Sequence, residues 1–410
     1  MLCEQFGGEK FVLRKQNGGL NPGYNGPTLS FRKLGSERDI ATMSPGGPEM
    51  NGNRQGHNGL ARPRQEHGEP VELRQHRRSR LVPGWRGLRW TAGGVAATLA
   101  AVLTAPAGAL AAAPVAAHAP ASSQLRSWSG YVRSTDGVRL WVHSVGGGAA
   151  HAQVVIVVHG GPGLSLGYLA IFDRLASPAR QIVSYDQRGA GRSTQPADHN
   201  YSIAAQVADL EAVRHWTGDR RVTILGHSWG GIPAAAYTAT YPAHVAALVL
   251  MDALPLSWAE FIAGENRLGK RITTLQGEGL IPNPLPPITH NSCLAHDQAL
   301  TPAYVANPLE HVSPAIWGPS CNWRTALRTF TAFINERGQL PTLAAALGQW
   351  PGRALVLQGA EDPFGLQWLH TSVAELRSAT VQHFVVNGAG HFPWVERPKA
   401  VLAAVSQFTG

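Results

Sequence analysis

The sequence predicts an α/β protein: a mostly parallel, doubly wound sheet carrying an inserted helical cap. Three observations lead there. Apolar runs without polar alternation, such as Val154-Val-Ile-Val-Val158 and Val245-Ala-Ala-Leu-Val-Leu-Met251, recur between helix-like stretches, as expected of strands buried on both faces of a parallel sheet. One such run, Val222-Thr-Ile-Leu225, ends in Gly226-His-Ser-Trp-Gly230 and is followed by a helix former. The alternation stops between about Leu254 and Trp350 and then resumes, the pattern of a lid inserted over a site.

Five segments follow. Residues 1–90 are rich in Gly, Asn, Pro, Arg and Glu with no sustained apolar period, and no fold is expected of a segment that cannot bury a core. Within 91–125 the run Val95-Ala-Ala-Thr-Leu-Ala-Ala-Val-Leu-Thr104 follows the basic Arg74-Gln-His-Arg-Arg-Ser-Arg80 and precedes Ala109-Leu-Ala111. Basic, apolar and small-residue regions in that order form a secretory signal, and Arg77-Arg78 points to the twin-arginine route. A run broken by Pro106 and rich in Ala is poorly suited to spanning a bilayer. The expectation is therefore a secreted or cell-surface protein with no stable membrane span after cleavage. A signal so far from Met1 implies that translation starts downstream, at Val71 or Val82. Residues 126–253 and 351–410 are the two parts of the core, and 254–350 is the cap.

The formal net charge is +9, but residues 1–92 hold 15 Lys/Arg against 8 Asp/Glu. The folded part is nearly neutral, which argues against a nucleic-acid partner. Of three cysteines, Cys293 and Cys321 fall in the cap; in an exported protein they are expected to form a disulfide.

In chain order, Trp128–Ser134 and Arg139–Val145 flank Asp136-Gly137 and form a hairpin at the sheet edge. The strand Val154–Val158 opens into His159-Gly-Gly-Pro-Gly163, and Leu166–Ala176 is amphipathic. Ile182–Tyr185 is the next strand, and its loop, Asp186-Gln-Arg-Gly-Ala-Gly-Arg-Ser193, should hold itself together by bonds between its Asp and Arg and to the backbone. Tyr201–Trp216 has helical spacing. After the cap come a strand at Ala354–Gln358, a helix over Leu366–Arg377, a strand at Val381–Val386 and a closing helix over Pro398–Phe408.

Three residues end strands in the order Ser228, Asp362, His391. A hydroxyl becomes a nucleophile when a base takes its proton, and an imidazole serves as that base when a carboxylate fixes its tautomer. Read singly, Ser228 could be a buried turn residue, Asp362 a helix cap and His391 a satisfied turn histidine. Their joint register, in the chain order of the α/β-hydrolase fold, favours chemistry. Asp252, which also ends a strand, is the alternative acid. The glycines after His159 let the Gly161 N–H face a developing oxyanion, with the Trp229 N–H as second donor.

His159-Gly-Gly-Pro-Gly163, Asp186–Ser193, Gly226-His-Ser-Trp-Gly-Gly231 and Gly388-Ala-Gly-His-Phe-Pro-Trp-Val-Glu396 together resemble the proline iminopeptidase family over roughly residues 126–410. The resemblance implies Ser228, Asp362 and His391 as the triad, Gly161 and Trp229 as the oxyanion hole, and release of N-terminal residues, often proline, with cap carboxylates holding the free amine. The cap carries no recognisable family motif, and His227 stands where these peptidases often have a small residue. Among Glu260, Glu265, Glu278, Asp297, Glu310 and Glu336 the choice for the amine is Glu265, early in the cap between Gly264 and Asn266.

The expected reaction is hydrolysis through an acyl-serine on a small peptide or ester, with no metal and no organic cofactor. An esterase is the alternative, and a non-enzymatic binding protein a remote one. Epoxide hydrolases and dehalogenases of this fold use Asp where this chain has Ser228. Oligomeric state is not specified by the sequence.

Overall fold

The computed structural model describes residues 125–288 and 293–410, together with three N-terminal strands. Those strands, β1 (Cys3–Phe6), β2 (Glu9–Gln16) and β3 (Thr28–Lys33), form an antiparallel sheet in the order β1-β2-β3. The secretory run, the twin arginines and the start at Val71 or Val82 lie outside the described residues.

The main sheet has eight strands. The hairpin β4 (Ser127–Arg133) and β5 (Arg139–Gly146) is followed by β6 (Gln153–Val158), β7 (Arg180–Tyr185), β8 (Val222–His227), β9 (Val245–Met251), β10 (Arg353–Gly359) and β11 (Thr380–Val386). Their order is β11-β10-β9-β8-β6-β7-β5-β4. The pairs β4–β5 and β5–β7 are antiparallel and the rest parallel. Along β6, Val154, Ile156 and Val158 enter one apolar layer and Val155 and Val157 the other. That is the period-two alternation of a strand covered on both faces.

Helices α1 (Ile203–Thr217) and α2 (Gly231–Thr240) cover the sheet, and a 3-10 helix spans Leu166–Leu175. Ser202 caps α1, its side chain accepting from the Ala205 N–H. The cap contains α3 (Trp258–Gly277), α4 (Cys293–Ala299), α5 (Thr301–Tyr304), α6 (Trp323–Glu336) and α7 (Leu340–Leu347). Cys293 and Cys321 are joined in a disulfide. After the cap come α8 (Gln367–Glu375), α9 (Pro393–Glu396) and α10 (Pro398–Phe408). Among the described residues, no helix is long and apolar enough to cross a membrane.

The loop after β7 is structural, but its ionic pairing differs from expectation. Asp186 accepts from the Leu166 and Arg192 N–H groups, both at 2.8 Å, while Arg188 makes a bidentate pair with Asp209 of α1 at 2.8 and 2.7 Å and reaches Asp136 at 2.9 Å. A fully buried guanidinium needs a carboxylate matched to its fork. The buried Asp209 offers that geometry, and Asp186 is occupied by backbone donors.

Candidate active site

Ser228 sits where β8 turns into α2, with φ of 54°. The flanking glycines are required by contact: a Cβ on Gly226 would stand 2.5 Å from the Gly230 carbonyl oxygen, and one on Gly230 would stand 2.3 Å from that of Val158. The elbow therefore seats α2 directly against β8 and β6 and leaves the serine projecting.

The structure brings the three strand-end residues together. Ser228 Oγ lies 2.9 Å from His391 Nε2, and His391 Nδ1 lies 3.0 Å from Asp362 Oδ2. Because the carboxylate can only accept, Nδ1 carries the proton and Nε2 is free to take one from Ser228. Asp362 is fixed in turn by the Phe364 N–H on Oδ1 at 2.9 Å and Gln358 Nε2 on Oδ2 at 3.1 Å. The relay can deprotonate a hydroxyl, hold the resulting imidazolium and return the proton to a leaving group.

The loop after β6 is braced by side chains to which sequence reasoning gave no role of their own. His159 is buried and its pKa is pushed down by desolvation. Its Nε2 accepts from the Gln187 N–H at 3.0 Å, so its Nδ1–H donates to the Gly160 carbonyl at 2.8 Å. The Gly160 N–H donates to the Tyr168 hydroxyl at 2.5 Å. In a trans peptide the C=O and the next N–H point in opposite directions. Anchoring the Gly160 carbonyl therefore aims the N–H of exposed Gly161, held at φ of 114°, the other way. Gln187 also accepts from Trp229 Nε1 at 3.1 Å, which fixes the residue carrying the second expected donor.

His227 links these loops. It donates from Nε2 to the His391 carbonyl at 3.0 Å and accepts at Nδ1 from the Tyr168 hydroxyl at 2.7 Å. Burial first, and the neighbouring His391 second, hold its pKa well below the usual value, so it stays neutral. The base loop is also tied to the cap: the His391 N–H donates to the Tyr304 carbonyl at 2.8 Å, and Glu396 accepts from Gly390 and Ala306 at 2.7 and 2.8 Å. His159, Gln187, His227 and Glu396 lie within the motifs that carried the resemblance, whereas Tyr168 and Tyr304 had no sequence signal.

The alternative acid, Asp252, is fully buried at the end of β9 and hydrogen-bonded to the Gly359 N–H at 2.9 Å. It lies near the relay without replacing Asp362 as the residue bonded to His391. Asp252, Asp362 and His391 have ligand-type atoms within 4.8 Å of one another, but both imidazole nitrogens are already engaged by Asp362 and Ser228, which leaves none for a metal.

Aromatic rings pack against His391 and against Trp229, which follows the serine. Trp229 meets Phe330 and Phe333 at 5.9 and 5.4 Å, and Phe261 meets Phe333 at 5.3 Å. Phe364 lies 4.8 Å from the His391 ring and stacks on Trp368 at 4.2 Å. Glu265 is half-buried on α3, beside Gly264, where a Cβ would stand 2.8 Å from Trp368 Nε1.

A family model described as the alpha/beta hydrolase fold matches residues 153–398. The proline iminopeptidase of Levilactobacillus brevis is 30% identical over 275 residues, covering 62% of this chain and 87% of that enzyme. The proline iminopeptidase of Lactobacillus helveticus is 39% identical over 104 residues, 24% of this chain and 35% of that enzyme. Among solved structures, proline iminopeptidase from Mycobacterium smegmatis gives a TM-score of 0.50 at 22% identity, covering 69% of this chain and 97% of that one. An esterase from Exiguobacterium antarcticum gives 0.51 at 18% identity, covering 69% and 99%. At these identities the two structures speak for the fold alone. The chain belongs to the α/β-hydrolase fold family. Within that family it is a proline iminopeptidase-like hydrolase.

Proposed function

We propose that this protein is an exported serine hydrolase in which Ser228 attacks a carbonyl carbon, His391 takes and returns the proton, and Asp362 holds the imidazole. The relay of hydrogen bonds from Ser228 through His391 to Asp362 is the observation that carries this reading. The Gly161 and Trp229 N–H groups receive the oxyanion, and the acyl-serine is released by water. The disulfide supports export, because such bonds persist in oxidising compartments.

The substrate class favoured is a short peptide with a free N-terminal proline or small residue. The aromatic rings packed about His391 and Trp229 suit a pyrrolidine ring, and the amine requires a counter-charge. The amine is assigned to Glu265, half-buried on α3 early in the cap. The same uncharged rings would accept a neutral acyl group, so a carboxylic ester hydrolase is the second reading.

Hydrolysis of prolyl and alanyl naphthylamides, their N-acetylated forms and short-chain nitrophenyl esters separates the two. An aminopeptidase cleaves the free-amine amides and loses that activity on acetylation and in Glu265→Gln. Cleavage of esters alone, or indifference to acetylation, assigns an esterase.

A further inference from the structure

Asp252 ends β9 with φ of 45°, a left-handed conformation unusual for a residue other than glycine. Its carboxyl is fully buried. Oδ1 accepts from the Gly359 N–H, but Oδ2, also buried, receives no donor from any described residue. An ionised carboxylate with a bare, buried oxygen beside a second carboxylate is strongly disfavoured. The second carboxylate is Asp362, whose oxygens already accept from Phe364, Gln358 and His391.

One proton resolves both problems. Placed on Asp252 Oδ2, it turns the bare acceptor into a donor facing Asp362, the carboxylate that lies with His391 within 4.8 Å of Asp252 and is its side-chain partner.

We propose that Asp252 is a neutral carboxylic acid whose O–H donates a hydrogen bond to Asp362, positioning that carboxylate for His391. It is a positioning residue and touches no substrate. The inference rests on the triad reading for its effect on turnover, but the protonation state itself does not. The surrounding charges agree. Burial and the negative charges of Asp362 and Glu396 favour the protonated form, and the Gly359 N–H opposes them more weakly. Arg271 of α3, in the cap, donates to the Val305 carbonyl and interacts electrostatically with Glu396, Asp362 and Glu361. His391 adds its charge only when protonated.

Asparagine at 252 tests this directly. Its Oδ1 keeps the bond from Gly359 and its amide N–H replaces the proposed O–H, so Asp252→Asn should retain at least a third of kcat with the acidic limb of kcat/KM unmoved. Asp252→Ala should lose about tenfold in kcat with KM little changed, and Asp362→Asn should lose far more. The charge is read without turnover by infrared difference spectroscopy of wild type against Asp252→Asn at pH 8, where a protonated-carboxyl band should be lost. The proposal is overturned if that band is absent, if Asp252→Asn shifts the acidic limb to lower pH, or if it is as damaging as Asp362→Asn. A wild-type kcat in Asp252→Ala also overturns it; should that variant fail to fold, the asparagine variant and the infrared band decide alone. Failure of wild type to react with a fluorophosphonate would instead remove the triad reading and leave the infrared result standing.

Discussion

Tyr168→Phe removes a single oxygen that satisfies two buried groups. The hydroxyl accepts from the Gly160 N–H and donates to His227 Nδ1, and neither partner has a simple substitute. His227 cannot change tautomer without abandoning the His391 carbonyl, and the Gly160 carbonyl is held by His159. Each orphaned buried polar group costs ~1–3 kcal/mol, so the variant should lose about 2–6 kcal/mol of stability. The ring itself keeps its neighbours His227, Trp394 and Phe392, at 5.6, 5.9 and 6.4 Å, so little of the loss comes from packing. The catalytic effect is indirect: loss of the bond to the Gly160 N–H loosens the residue whose carbonyl, held by His159, orients the Gly161 N–H, the proposed oxyanion donor. Complete removal of an oxyanion donor costs about 10²–10³ in kcat; a donor that remains but is loosened should cost about tenfold, with KM nearly unchanged. Urea denaturation and steady-state kinetics measure the two effects. An unchanged midpoint together with a kcat within twofold of wild type would refute the brace.

Ser228→Ala should abolish fluorophosphonate labelling and lower turnover by several orders of magnitude while the fold persists; residual activity above about one per cent of wild type would name the wrong nucleophile. The Cys293–Cys321 bond closes a loop that contains Tyr304–Ala306, the segment bonded to the base loop, across a separation of 28 residues. Replacing both cysteines by serine should cost ~3–4 kcal/mol on the loop-entropy account and reduce kcat as well. Equal stability of the variant and the oxidised protein rejects that account. Burial raises the Glu375 carboxyl from 4.5 to about 7, against a weaker opposing bond from the Leu256 N–H. A raised carboxyl pKa means that the folded state holds the proton longer, so this contribution to stability is complete below pH 4.5 and is lost as the pH rises to 7. Glu375→Gln should therefore match wild type near pH 4 and exceed it by about 3 kcal/mol at pH 8; a difference independent of pH contradicts the assignment.

Much of this protein was legible in the chain because the signals are local. A strand buried on both faces needs an unbroken apolar run, so β6, β8 and β9 announce themselves. A helix that starts immediately after a projecting serine leaves no room for a Cβ at 226 or 230, and the motif records that contact as two glycines. The order of the relay residues followed from which strands they end. Other features depended on the tertiary structure, because they join residues far apart in sequence through side-chain directions no periodicity encodes. Tyr168 meets His227 across 59 residues, and His227 meets the His391 carbonyl across 164. Arg188 reads locally as a partner for Asp186, yet only folding shows that Asp186 is filled by backbone donors while Asp209 waits in the core. Asp252 and Asp362 both look like strand-end acids. The distinction arises when packing gives one of them the imidazole and leaves the other a buried oxygen with no donor, which is a property of the assembled site and of no stretch of sequence.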